Sequence, residues 1–213
     1  MYKAVLFDLD GTLLDTGDGV ISSVRYTIEK MKLPMLSDDE LKTFVGPPIK
    51  KKMMEVFSLS DETSSEAMNI FRNHYGIEDI YIARVYDGLV ELLEELKNEG
   101  YKLGVATYKR EDQAKNLLQK FGLAEKFDVI HGSDKEGKLT KADVVNNCIL
   151  DLNVNPKEAV LVGDSDNDAI GAKQAGLKFV GVTYGFGFKS ETDVECFDNI
   201  GIANSCQEIV KYV

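Results

Sequence analysis

Two carboxylates two residues apart, Asp8 and Asp10, stand at the end of the apolar run Ala4-Val5-Leu6-Phe7 and are followed by Gly11 and Thr12. A short apolar run without helical spacing predicts a buried strand, and charge fits such a strand only where it emerges. In open α/β sheets the emerging C-terminal ends are where ligands bind. If strand geometry persists, Asp8 and Asp10 project the same way. Neighbouring carboxylates repel unless a cation or a shared proton intervenes. The chemistry this pattern allows is a hard-cation site with one carboxylate acting as a nucleophile. A strand followed by a plain Asp-Gly turn would show the same residues, so the rest of the chain has to decide.

Three further groups fall at comparable places. Thr107 follows Lys102 to Ala106, which reads as a strand. Lys141 follows Thr140, a residue suited to cap a helix running to Leu152. Asp164, Ser165, Asp166 and Asp168 follow the apolar run Ala159 to Val162. Taken singly, each has a plain explanation: a strand ending in Thr, a solvated helix lysine, acidic residues complementing a helix dipole.

The elements that must position these residues alternate. Helical stripes are predicted over Leu89 to Leu96, Ala114 to Phe121, Lys141 to Leu152 and up to Ala175. Between them lie strands over 102–106, 127–130, 159–162 and 179–182, with a weak strand near Ile200 and a last helix from Ser205. Such alternation predicts an α/β fold with a doubly wound, mostly parallel sheet. Right-handed crossovers then bring the strands' C-terminal ends to one edge. Residues 15–82 interrupt the alternation and read as entirely helical. Val20, Val24, Ile28 and Met31 form one stripe, Ser37 and Glu40 a capping box, and Met68, Phe71 and Tyr75 a stripe ending at Gly76. The expected division is a core of 1–14 and 83–213 with a helical cap of 15–82.

The ordered set Asp8 and Asp10, Thr107, Lys141, Asp164 and Asp168 resembles the four signatures of the haloacid dehalogenase superfamily of phosphohydrolases. The helical insertion, Gly46-Pro47-Pro48 and Tyr184-Gly185-Phe186-Gly187 resemble the subgroup that contains phosphoglycolate phosphatases. The resemblance implies a Rossmann-like core and a Mg²⁺-dependent phosphomonoesterase working through an aspartyl phosphate. It makes Asp8 the nucleophile, Asp10 the general acid and base, and Lys141 the neutralising cation. It assigns Mg²⁺ to the Asp8 carboxylate, the Asp10 backbone carbonyl and Asp164, with Asp168 holding a metal-bound water or Lys141. Thr107 and the adjacent backbone N–H groups would hold the phosphate. Two positions depart from the pattern: Tyr108 stands where Asn is common, and Ala142 where Pro is common. Tyr108 keeps backbone contacts to substrate but changes the side chain. Lys138 lies close enough in sequence to compete with Lys141. In the cap, the resemblance puts Gly46 and Lys50 over the leaving group; a solvated helix face of Lys50, Lys51 and Lys52 is the plain alternative. A sugar-phosphate mutase of the β-phosphoglucomutase type shares this site and cap class. A non-catalytic binding module on the same fold would lack Asp8 or Asp10.

Bulk composition narrows the partners. With 213 residues, 44% hydrophobic and 29% charged, the chain can bury a proper core. A net charge of −11 and the lack of a long basic run argue against nucleic acid. The acidity also means that an anionic substrate, here a small-molecule phosphate ester, needs positive charge supplied locally. No apolar run approaches a membrane span. Three cysteines without a C-x-x-C spacing, and no secretory leader, fit free thiols and a cytoplasmic protein. A monomer or a homodimer is compatible with all of this.

Overall fold

The computed structural model describes residues 2–135 and 138–213. The chain forms two compact units, Met1–Asp15 with Val85–Val213, and Thr16–Arg84.

The first unit is built on β1 (Ala4–Phe7), and a short β2 (Leu14–Asp15) lies at its boundary. The second unit holds α1 (Gly17–Lys30), α2 (Asp38–Lys42), α3 (Ile49–Phe57) and α4 (Asp61–His74). The chain returns through β3 (Arg84–Val85), then α5 (Leu89–Asn98), β4 (Lys102–Arg110), α6 (Glu111–Lys120) and β5 (Val129–Ser133). There follow α7 (Lys141–Leu152), β6 (Ala159–Gly163), α8 (Asp166–Ala175), β7 (Lys178–Val182), α9 (Glu191–Glu195) and β8 (Gly201–Ala203). The main sheet has the order β5-β4-β1-β6-β7-β8, while β2 and β3 form a separate ribbon. All five pairings in the main sheet are parallel.

Because side chains alternate along a strand, β1 feeds two cores. Val5 and Phe7 point into one with Leu89, Leu93 and Leu96 of α5 and Leu117 and Leu118 of α6. Ala4 and Leu6 point into the other with Val144, Val145 and Cys148 of α7 and Ala169 and Ala172 of α8. With both faces covered, the strand reads apolar throughout, which is why the first run is legible in the sequence. In the second unit Val24, Ile28, Leu41, Phe44, Met53, Ala67 and Phe71 make a core of their own. The capping box expected at Ser37 forms with Glu40, and Thr140, expected to cap its helix, does so in a capping box with Asp143.

Several elements depart from the sequence expectation. The helix expected to stop at Gly76 runs on as a π-helical turn over Tyr75–Asp79. Asp79 is buried there, with Ser23 Oγ donating to its carboxylate at 2.7 Å, so a tertiary anchor overrides the glycine. β4 does not stop at Ala106 but continues to Arg110, because β5 runs on to Ser133 beside it. The last helix is a 3₁₀ segment, Cys206–Tyr212. Among the described residues, no helix is long and apolar enough to cross a membrane.

Leu6 lies wholly out of water at the centre of the sheet. Leu6→Ala is expected to destabilise the first unit by about 2–5 kcal/mol through lost burial and the cavity left behind. Denaturant unfolding followed by circular dichroism measures it.

Candidate active site

The sheet order places β1 between β4 and β6, so the residues that follow these strands meet at one edge. Phe7 pairs with Val105 and with Val162. Asp8 continues the ladder one step, its N–H donating to the Val162 carbonyl at 2.9 Å. Two residues beyond those pairs stand Thr107 and Asp164.

Lys141, the first residue of α7, reaches this edge from the helix side. Its ammonium lies 2.6 Å from Asp8 Oδ1 and 2.6 Å from Asp168 Oδ1. Lys141 and Asp168 are almost wholly buried and Asp8 nearly so. The lysine stem runs against α8, where a Cβ on Gly171 would meet Lys141 Cγ at 2.5 Å. Lys138 is exposed, and Lys141 is the lysine at the cluster. Burial alone pulls the Lys141 pKa down, but Asp168 and Asp8 outweigh it and hold the ammonium charged.

Asp168 serves two partners. Its second oxygen takes Ser165 Oγ at 2.6 Å and Ser165 N–H at 3.1 Å, closing the capping box of α8. Asp164 is fixed from another loop: its Oδ2 accepts the N–H groups of Phe186 at 2.6 Å and Gly187 at 3.0 Å. These are residues of the Tyr184-to-Gly187 stretch, whose backbone thus has a definite task.

Asp8, Asp164 and Asp168 bring carboxylate oxygens within 4.8 Å of one another. Burial, and then the other two carboxylates, push Asp8 up to about 7 against the pull of Lys141. Burial and Asp168 push Asp164 up to about 6, against its two N–H donors. Three buried carboxylates with one ammonium leave negative charge to be balanced. An all-oxygen donor set suits a hard divalent cation such as Mg²⁺, so the residues present fit one. Asp8 and Asp164 are the carboxylates that could hold it. Asp168 has both oxygens engaged by Lys141 and Ser165, so it braces the cluster.

The remaining expected residues are placed as follows. Thr107 is buried, its Oγ1 accepting the Lys109 N–H at 3.2 Å. Tyr108 is 46% exposed, while its hydroxyl accepts the Lys141 backbone N–H at 2.9 Å. Asp10 is not one of the three clustered carboxylates; its Oδ1 lies 2.9 Å from Lys109 Nζ. Gly46 and Lys50 belong to the second unit, where the Lys50 ammonium pairs with Asp61 at 2.7 Å. The sequence reading did not single out Lys109. The available signal was its place two residues after Thr107, on the same face if the strand continued, but that continuation was not legible.

The chain matches the family of haloacid dehalogenase-like hydrolases over residues 5–182. It is 32% identical to a 5′-nucleotidase from Pseudomonas aeruginosa, over 89% of this chain and 86% of that one. It is 30% identical to a phosphoglycolate phosphatase from Aquifex aeolicus, covering 86% of each. Among solved structures it resembles a haloacid dehalogenase-like family hydrolase from Streptococcus pneumoniae with a TM-score of 0.90 and 31% identity, covering 99% and 98% of the two chains.

A Cβ on Gly185 would lie 2.3 Å from the Gly11 carbonyl oxygen and 2.5 Å from Asp164. Gly185→Val must therefore displace the loop that holds Asp164. Support around a metal-binding carboxylate is typically worth ~10–100-fold in affinity, and a loss of that size in Mg²⁺ binding is expected. Isothermal titration, with circular dichroism to check the fold, measures it.

Proposed function

The chain belongs to the family of haloacid dehalogenase-like hydrolases, and on that premise we propose that it is a Mg²⁺-dependent phosphatase of small phosphomonoesters that works through an aspartyl phosphate on Asp8. The observation that carries the reading is the buried Asp8 carboxylate held by Lys141, beside two further carboxylates, at the sheet edge.

Phosphoryl transfer is mostly positioning and charge neutralisation. Bound Mg²⁺ would neutralise charge on the transferring phosphoryl group. The chain's own residues do the rest. Lys141 keeps an Asp8 oxygen at a defined place and favours its ionised form. An ionised Asp8 attacks phosphorus in line with the leaving oxygen. Asp10 protonates that oxygen, then takes a proton from the water that hydrolyses the intermediate. Thr107 and backbone N–H groups beside it would hold the non-reacting phosphate oxygens, as the family resemblance implies. Asp168, held by α8, keeps Lys141 from drifting. For Gly46 and Lys50 as substrate contacts, and for Tyr108, the support is the resemblance. For the Asp10 carbonyl as a metal ligand it is the same.

The proposed substrate is a small metabolite ester of the phosphoglycolate kind. The test is a phosphate-release screen over small phosphomonoesters with and without Mg²⁺. Detection of an isomerised sugar phosphate instead of released phosphate would favour a mutase. Asp8→Asn is expected to lower turnover by about 10³-fold or more, since the covalent route is lost, with the fold retained by circular dichroism. Turnover near wild type would remove Asp8 as nucleophile. In Mg²⁺ titrations of activity, Asp164→Ala is expected to raise the half-activating concentration more than Asp168→Ala does; equal or reversed shifts would count against their different roles.

A further inference from the structure

β4 bends where its apolar run ends. Ala106 pairs with His131 and the next pair is Arg110 with Ser133, so Thr107, Tyr108 and Lys109 stand opposite Gly132 alone. An irregularity of this kind bends its strand and re-aims a side chain. The bend is held from within by the Lys109 N–H on Thr107 Oγ1. It is also held from β5, because Gly132 approaches so closely that a Cβ there would lie 2.5 Å from the Lys109 carbonyl oxygen. The outcome is a lysine whose side chain is 8% exposed, with its ammonium 2.9 Å from Asp10 Oδ1. Withdrawing a long cationic side chain from water costs desolvation and rotamer entropy, and an ion pair in water would give little in return. Here the lysine is buried and Asp10 only partly exposed, so the pair ties Lys109 to one particular carboxyl group.

We propose that Lys109 is a positioning residue for proton transfer: it holds the Asp10 carboxyl group where that group exchanges the proton with the leaving-group oxygen. This rests on the acid–base role assigned to Asp10 above. In the first half-reaction an Asp8 oxygen forms a bond to phosphorus as the phosphorus–ester oxygen bond breaks. The ester oxygen keeps the electron pair and takes the Asp10 proton. In the second half-reaction a water oxygen bonds to phosphorus, its proton returns to Asp10, and the phosphorus–Asp8 oxygen bond breaks. Inorganic phosphate leaves and both carboxyl groups are restored. A residue that orients Asp10 therefore matters most where the leaving oxygen needs a proton. Alkoxides need it; 4-nitrophenolate leaves as a stable anion.

The experiment compares kcat/KM, which reports the steps through the first phosphoryl transfer, on 4-nitrophenyl phosphate and on the best-hydrolysed alkyl ester among phosphoglycolate, glycerol phosphate and a nucleoside 5′-monophosphate. Lys109→Met is expected to lose about 10–100-fold on the alkyl ester and about threefold on the aryl ester, with kcat falling on both because the second half-reaction uses Asp10 in each. Asp10→Asn should show the same dependence on leaving group, and Lys109→Arg should recover most of the alkyl activity. Where Lys109→Met does not fold, Lys109→Gln against Lys109→Arg carries the same comparison. Equal losses on the two esters, or none on either, in an active enzyme would overturn the role of Lys109 alone. A wild-type protein inactive on every ester would overturn the phosphatase reading and this inference with it.

Discussion

One buried ammonium holds the centre of the first unit together. Lys141 is shared between Asp8 and Asp168, and nearly all of all three groups lies out of water. A buried charge costs several kcal/mol unless it is paired and its remaining hydrogen-bonding capacity is used. Each of the three therefore depends on the other two. The dependence reaches outward: Asp168 can brace Lys141 because it also caps α8, and the lysine stem passes because α8 carries a glycine where it crosses. Helix ends, helix packing and site electrostatics are set by the same few side chains.

The same charges resolve a problem posed by composition. A chain with net charge −11 would repel an anionic ester if its charges were spread evenly. They are not. Lys141 and Lys109 are withdrawn from the surface and stand at the sheet edge among the carboxylates of Asp8, Asp10, Asp164 and Asp168. Burial first, and then the surplus of carboxylates over lysines, puts Asp8 and Asp164 well above the usual carboxylate range, and that surplus suits the site to a divalent cation. On the function proposed above, affinity for a cation and for a phosphate ester would have one origin, since a bound cation would supply the positive charge that an anionic ester needs.

The two units differ in how openly their sequences declare them. In the first, strands covered on both faces are apolar without interruption, and helices between them carry stripes stopped by glycines. In the second, short helices share one small core, and their starts are legible through Ser37 and Ser60 as caps. Its π-helical turn was not legible, because a buried contact from Ser23 to Asp79, 56 residues apart in sequence, holds it. Backbone propensity and capping are local and can be read; an anchor across the chain cannot.

What the sequence by itself determined is the order of the chemistry: Asp8 and Asp10 after a buried strand, then Thr107, Lys141, and Asp164 with Asp168. Those residues are legible because carboxylates at the end of an apolar strand, and acidic residues opening a helix, conflict with burial unless something compensates them. The sequence already favours Lys141, which opens a helix after Thr140; the packing of α7 on α8 is what aims it into the cluster while Lys138 stays exposed. The tertiary structure alone showed that the Tyr184-to-Gly187 stretch serves Asp164 through the backbone N–H groups of Phe186 and Gly187, which carry no side-chain signature. And it alone joined Lys109 to Asp10, through a bend in β4 set by the close approach of Gly132 on a neighbouring strand. Local preferences are written along the chain, whereas partners distant in sequence are chosen by strand order, register and space.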